Sequence, residues 1–530
     1  MNIAKNIAHA ILAGLMFAAG AAHALTENEM MALSAGDNDQ RIAKLATVVT
    51  AADTAAIPFL NSLENDEVKY TGSKVYIVND SGTVDAATGL AAQLPDDAQD
   101  VVNNNRMRNK LDAAIAALNL ESPDAAVRLK AAKTLSQSDA GESTLALVRQ
   151  AEKIEKDPDV HELLVEIRAG IELLSGDPAV RMQSARDLAG STSSDVKELL
   201  ASRLLPGGET DPEVRKVVAA AMHTIDKRLS YYEAAGTVFT GLSLGSVLLL
   251  AALGLAITYG LMGVINMAHG EMMMLGAYAT YVVQHLFRHY LPQWFDAYVI
   301  VVIPVAFVVT GLVGIALERT VIRHLYGRPL ETLLATWGIS LILMQLVRTL
   351  FGAQNVEVEN PGWMSGGVHL ASSLVLPYNR ITIILFAFAV LLLVWVLLNK
   401  TRLGLFVRAV TQNRKMAGCV GVNTARIDAW AFGLGSSIAG LAGVALSQIG
   451  NVGPDLGKTY IVDSFMVVVV GGVGQLAGTV YAALGLGIIS KYMEGFTGPV
   501  MAKIIVLVII IIFIQKRPQG IFALKGRSVD

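Results

Sequence analysis

The chain has 530 residues, 53 % hydrophobic and only 16 % charged, with a net charge of −3. So apolar a composition excludes an ordinary soluble multidomain enzyme and fits a polytopic membrane protein, and the near-neutral balance gives nucleic-acid binding no support. One cysteine, Cys419, excludes a disulfide framework or a thiolate metal site within the chain.

The first residues read as an export signal. Lys5 supplies a positive start, Ile7 to Gly20 an apolar core too short to span a bilayer comfortably, and Ala22-His23-Ala24 a small-x-small cleavage site before Leu25. Cleaved or not, it places the following domain outside the cytoplasm. Residues 25–120 are poorly defined, apart from Lys74 to Asn79, which reads as a strand in a short hairpin turning at Asn79-Asp80-Ser81-Gly82.

Between 121 and 232 one phrase returns: Ser122-Pro123-Asp124, Asp157-Pro158-Asp159-Val160, Asp177-Pro178-Ala179-Val180-Arg181 and Asp211-Pro212-Glu213-Val214-Arg215. Each predicts a helix start, because the leading side chain accepts from free first-turn N–H groups and proline gives up a donor that has no partner there. Apolar residues follow at helical spacing, so each helix needs a stacked neighbour. The phrase resembles HEAT-type repeats, with irregular spacing. Such a domain serves either as a docking surface for another exported protein or only to stabilise its own chain.

From 233 to 530 apolar blocks of spanning length follow one another: Ala234–Ile257, Leu261–Phe287, Tyr298–Ile315, Thr332–Phe351, Ile381–Leu398, Ala429–Ile449, Ile461–Val473, Ala477–Tyr492 and Ala502–Ile514. The seventh and eighth are short, and they form either two spans or a re-entrant hairpin. Lys and Arg collect at 319–328, 400–426 and the C-terminus with Lys516, Arg517, Lys525 and Arg527, which makes those segments cytoplasmic. The first span then runs inward from outside, as an exported N-terminal domain requires. The fold class is therefore all-α: a polytopic helical permease body preceded by an exported HEAT-like helical domain.

Within that body, Asn266, His269 and Glu271 are membrane-grade anomalies, since ionisable groups at depth usually face a protein-lined path. Together with Gly276 and Tyr278 they form the expected substrate path, with Asn266 and His269 at its inner half and Glu271 holding a helix break together. The break is placed at Gly270, and a counterpart at Gly471, Gly472, Gly474 and Gly478, because interrupted helices form solute sites in transporters with repeated halves. His-x-Glu lacks the i, i+4 spacing of a helical zinc pair, so no metal site and no hydrolase are expected. Gly433, Ser436, Ser437, Gly440 and Gly443 recur at helical spacing and suit close packing.

Two further segments bear on energy. Gly453 to Thr459 is one residue short of a phosphate loop and has no flanking strand, so the chain carries no ATP site of its own. The basic loop 400–426 contains a short amphipathic helix that either docks a soluble motor or lies on anionic lipid.

Asn266 to Tyr278, the loop Arg408 to Asn423, and Val470 to Gly478 together resemble the inner-membrane permeases of branched-chain amino acid ABC importers (LivH-like), over roughly Thr237 to Leu524. The resemblance implies a second permease subunit, two cytoplasmic ATPase subunits that bind ATP, a periplasmic solute-binding protein, and no enzymatic activity in this chain. It also implies ATPase coupling through Gly404, Arg408, Ala409, Asn413, Ala417 and Gly421. An exported helical domain ahead of such a permease is similar to the urea-importing branch, so urea is the expected solute. Branched-chain amino acids or short amides are the alternative, and an anchored exported scaffold or sensor is the second alternative.

Overall fold

The structure is a computed structural model that describes residues 25–79, 82–138, 141–371 and 374–522. The export signal, Asp80 and Ser81 of the expected turn, and Lys525 and Arg527 lie outside the described residues. The chain divides into two compact units, residues up to Ser230 and from Tyr231 onward.

The first unit begins with α1 (Glu27–Ser34), α2 (Asn38–Thr50) and α3 (Ile57–Glu64). Strands β1 (Val68–Thr71), β2 (Lys74–Asn79), β3 (Gly82–Asp85) and β4 (Gln99–Asp100) form an antiparallel sheet in the order β3-β2-β1-β4. Six helices follow: α4 (Asn105–Asn119), α5 (Ala125–Gln137), α6 (Glu142–Ile154), α7 (Pro158–Glu172), α8 (Pro178–Leu188) and α9 (Ser194–Leu204). Asp157 and Asp177 accept first-turn N–H groups as the recurring phrase predicts, whereas in the first copy the cap is Asp124 rather than Ser122 and Pro123 stands ahead of the helix. Each helix buries one stripe, Leu164 and Ile167 on α7 and Ala185 and Leu188 on α8 being examples.

A bracket repeats with the phrase. Arg128 holds Glu155 at 2.7 and 3.0 Å and donates to the Ser122 and Pro123 carbonyls. Arg181 holds Glu209 at 2.8 and 2.9 Å and donates to the Ser175 and Gly176 carbonyls. Each glutamate in turn accepts the N–H groups just ahead of the next helix start. The guanidinium partners hold both carboxyls down at about 2. Because the folded-state pKa lies below the unfolded value of about 4.3, this stabilisation is complete above that value and is lost as pH falls towards 2. Pepsin digestion of the full chain should therefore open sites around 155 and 209 between pH about 4.5 and about 2. A Glu155→Gln/Glu209→Gln variant should lose that pH dependence, and an unchanged profile would refute the bracket's role.

The second unit is helical throughout its core. Helix α10 (Pro212–Met262) gives its first turns to the first unit and the remainder to the second. Then come α11 (His269–Tyr290), α12 (Tyr298–Thr320), α13 (Pro329–Phe351), α14 (Tyr378–Lys400), α15 (Arg402–Gln412), α16 (Arg414–Cys419), α17 (Thr424–Ser447), α18 (Leu456–Gly471) and α19 (Leu476–Lys516). A two-stranded ribbon, β5 (Gly367–Ala371) and β6 (Leu374–Pro377), precedes α14. Among the described residues, α10, α12, α13, α14, α17 and α19 are long and apolar enough to cross a membrane. The chain is an all-α polytopic membrane protein.

Helix α17 is the hub and is buried along nearly its whole length against α11 and α12. Its small residues make this possible: Ser437 donates to the Phe307 carbonyl at 2.8 Å, and Gly440 lies directly against Thr310.

Helix α19 bends at Gly498, where φ is +77°, ahead of Pro499. Its first half runs antiparallel to α10. A Cβ on Gly241 would stand 2.6 Å from Ile488 Cα, one on Gly245 2.9 Å from Leu484 Cα, and one on Gly260 2.8 Å from Gly474 Cα. Gly241 to Gly260 is roughly 28 Å of helix, close to the thickness of a bilayer core. The block Ala477–Tyr492 therefore runs beside α10 over about the thickness of a bilayer core, whereas α18, which carries Ile461–Val473, is not among the helices long and apolar enough to cross among the described residues.

Candidate functional site

The expected span Leu261–Phe287 is not one helix. α10 ends at Met262, Gly263 takes φ +64°, and residues 263–268 are non-helical until α11 starts at His269. The His269 Nε2–H donates to the Ala251 carbonyl at 2.9 Å. Ala251 lies eleven residues before Met262, so α11 begins roughly 16 Å back along α10. Six residues in extended form cover that distance at about 3.3 Å each, which a helical segment of the same length could not. His269 thus sits beside Ala251, well back along α10 from its end at Met262.

The break is braced from two sides. The Asn266 Oδ1 accepts the Ala268 N–H at 3.0 Å, closing a turn ahead of α11. From α13, Thr336 Oγ1 accepts the Met267 N–H at 3.1 Å, and the Ser340 hydroxyl donates to Glu271 Oε1 at 2.9 Å. Glu271 sits in the first turn of α11, where the helix dipole favours a carboxylate. Thr332, Thr336 and Ser340 form a buried stripe at four-residue spacing on α13. The sequence reading passed over that stripe, although its spacing in an otherwise apolar helix is a legible signal.

Around this break the Nδ2 of Asn266, Nδ1 of His269 and Oε2 of Glu271 are buried without a hydrogen-bond partner, as is the Tyr278 hydroxyl roughly 13 Å further along α11, where its ring packs on Phe351. All four residues are at most 2 % exposed. The arrangement supplies buried donor and acceptor capacity, closed to solvent in this conformation. A solute reaches it only if the surrounding helices part.

Three expected breakers turn out to be helical, Gly471 being the last residue of α18. Gly270 lies within α11 and Gly478 within α19; each meets the backbone of another glycine, Gly457 and Gly471 respectively. They are small because another chain segment passes against them, not because the helix stops there. The second interruption falls at Gly472 to Gln475, where Gly472 and Gly474 take φ +98° and +78°. Gly276 is likewise a packing residue, its open side against the Gly440 carbonyl.

The basic loop folds into α15 and α16. Gly404 lies on the Leu398 backbone, and Arg408 donates to the Leu398 carbonyl at 3.1 Å, so α15 folds back on the end of α14. Asn413 caps α16 through the Met416 N–H at 3.0 Å, Ala417 is buried, and Gly421 has φ +89° beyond the helix. Ala409 lies on α15 between these anchors. Leu405, Phe406, Met416 and Val420 are exposed. One link joins the pair to the core: Arg414 makes a bidentate bridge to Asp428 of α17, which is fully buried, and its guanidinium lies 4.4 Å from the Tyr326 ring centre. Glu318 of α12 is also fully buried beside this cluster, with Arg323 3.6 Å away. Neither Asp428 nor Glu318 was foreseen from sequence.

Comparison with known proteins matches residues 237–514, just over half of the chain, to the family described as branched-chain amino acid transport system / permease component. The chain is 28 % identical over 285 residues to the BraD branched-chain amino acid permease of Pseudomonas aeruginosa, covering 53 % of this chain and 93 % of that one. It is 27 % identical over 292 residues to LivH of Escherichia coli strain K12, covering 54 % and 94 %. A shorter likeness, 35 % over 105 residues, reaches the fructose import permease FrcC of Rhizobium meliloti, covering 18 % and 29 %. No solved structure gives a significant match.

Proposed function

Since the chain belongs to the family of branched-chain amino acid transport permease components, we propose that it is one permease subunit of a binding-protein-dependent importer in a bacterial inner membrane. A second permease subunit completes the path, and a periplasmic binding protein delivers the solute. Separate ATPase subunits dock on α15 and α16 from the cytoplasm. The observation that carries this reading is the exposed apolar set Leu405, Phe406, Met416 and Val420 on a basic, doubly anchored helix pair. The distribution of Lys and Arg supports a periplasmic first unit and a cytoplasmic C-terminus. Family membership removes the main support for an anchored scaffold or sensor.

For the solute, BraD and LivH favour a branched-chain amino acid over urea, which nothing in the comparisons supports. Urea keeps a place as second reading on one observation: BraD and LivH are matched over more than nine-tenths of their length yet leave nearly half of this chain without a counterpart. That extra domain, with its repeating Arg–Glu brackets, suits a short solenoid serving as a docking surface. Uptake of labelled leucine and labelled urea by cells with and without the gene separates the readings. Loss of leucine uptake supports the first and loss of urea uptake the second. Both uptakes intact would refute the importer reading.

A further inference from the structure

We propose that the cavity around Arg380 is a docking station for the transported solute, where the guanidinium reads a planar oxygen acceptor: an amino-acid carboxylate or the carbonyl of a urea-type amide. The inference rests on the importer reading above. The cavity measures about 360 Å³ and lies at the face of the second unit that carries the loop ends 355, 380 and 450–455. Leu244 and Val247 form one wall; Asn355, Arg380, Thr459 and Tyr460 bring polar atoms to it. It holds many times the roughly 30 Å³ of one water, so a small organic solute fits.

Arg380 is set apart by what surrounds it. The other charged groups lining the site are already held: Lys491 by Glu494 at 2.7 Å, and Asp455 by Arg348 at 2.7 Å. Arg380 has no ion-pair partner among the described residues, and it occupies the first turn of α14, where the helix dipole disfavours a cation. A guanidinium placed there presents its fork of donors to the cavity's contents, and planar oxygen acceptors are what that fork matches.

A second cavity of about 230 Å³ shares Leu244, Tyr460 and Lys491 with the first and continues to Asp463 and Lys503. These two form an ion pair at 3.5 Å between α18 and the second half of α19. Asp463 is one helical turn along α18 from Thr459. The second cavity thus adjoins the first and adds one ion pair to the polar groups near Arg380.

Labelling of a single cysteine tests the docking station. In a Cys419→Ser background, Thr459→Cys places a thiol on the exposed wall of the cavity, and a membrane-impermeant maleimide reports its reactivity in cells carrying the whole importer. Leucine or urea should slow labelling several-fold, whereas mannitol, which has no planar oxygen acceptor, should not. Arg380→Gln should remove the protection and Arg380→Lys should restore part of it. Protection by leucine alone assigns the site to a carboxylate, by urea alone to a neutral carbonyl, and by both to the shared acceptor. No protection, equal protection by mannitol, or protection that survives Arg380→Gln would overturn the proposal. Chain-dependent uptake measured in the same cells keeps the two readings apart: uptake without protection refutes only this site, and no uptake refutes the importer itself.

Discussion

Arg414→Ala should reduce solute uptake at least tenfold while the partner ATPases still hydrolyse ATP. Removing Arg414 leaves the Asp428 carboxylate, which is fully buried, without its cation. Breaking a buried pair in this way costs about 3–5 kcal/mol, and because Arg414 is 41 % exposed the low end applies. Arg414 is also the anchor through which α16 reaches α17, and α17 packs on both α11 and α12. If ATPases dock on α15 and α16 as proposed, this bridge is one route by which their movement would reach the helix that follows the break at 263–268. Arg414→Met/Asp428→Leu separates stability from coupling, because an apolar pair of similar volume restores packing without the bridge. The double variant should regain wild-type levels in the membrane but not uptake per ATP hydrolysed. Full recovery of that ratio would reduce the bridge to a structural role.

Much of the second unit is legible in its sequence because crossing a bilayer demands about 20 apolar residues in a row, and charge bias at the ends needs no tertiary information. Glycine is harder to read. Gly263, Gly472 and Gly474 interrupt the chain through positive φ, whereas Gly270 and Gly478 admit a neighbouring backbone, and both needs are written with the same residue. Only the partner segment, Gly457 or Gly471, tells them apart, and that partner is set by the fold. The height of His269 is hard to read for a related reason: counting residues at helical rise assumes a helix, and six extended residues set it back beside Ala251 of α10.

Asp463 and Lys503 teach a different lesson. They stand at the starts of the apolar blocks Ile461–Val473 and Ala502–Ile514, so the reasoning that singled out His269 and Glu271 reaches them with less force, and only the fold shows that they pair. Arg380 lies one residue outside the block Ile381–Leu398 and carries no such mark. Its significance comes from the cavity and from the absence of a counter-ion, which are properties of the assembled helices.

Gly276→Ala should destabilise the chain by about 3 kcal/mol or more. The added Cβ would enter the Gly440 backbone at the crossing of α11 and α17, and a backbone cannot yield by changing rotamer. Overpacking of a tight core costs about 1–3 kcal/mol, and a helix crossing with backbone on both sides belongs at the upper end or beyond. Gly338→Ala and Gly485→Ala are the matched controls. Both are helical glycines whose added methyl meets nothing within 4 Å, so they should be neutral or gain up to about 1 kcal/mol from helix propensity. Thermal unfolding in detergent ranks the three, and a Gly276→Ala melting temperature equal to that of the controls would refute the close crossing. Because α11 begins at the break, the crossing at Gly276 also sets the height of Asn266 and His269 against α10. Uptake should then fall even in the fraction of Gly276→Ala that remains folded, since the bond from His269 to the Ala251 carbonyl depends on that height.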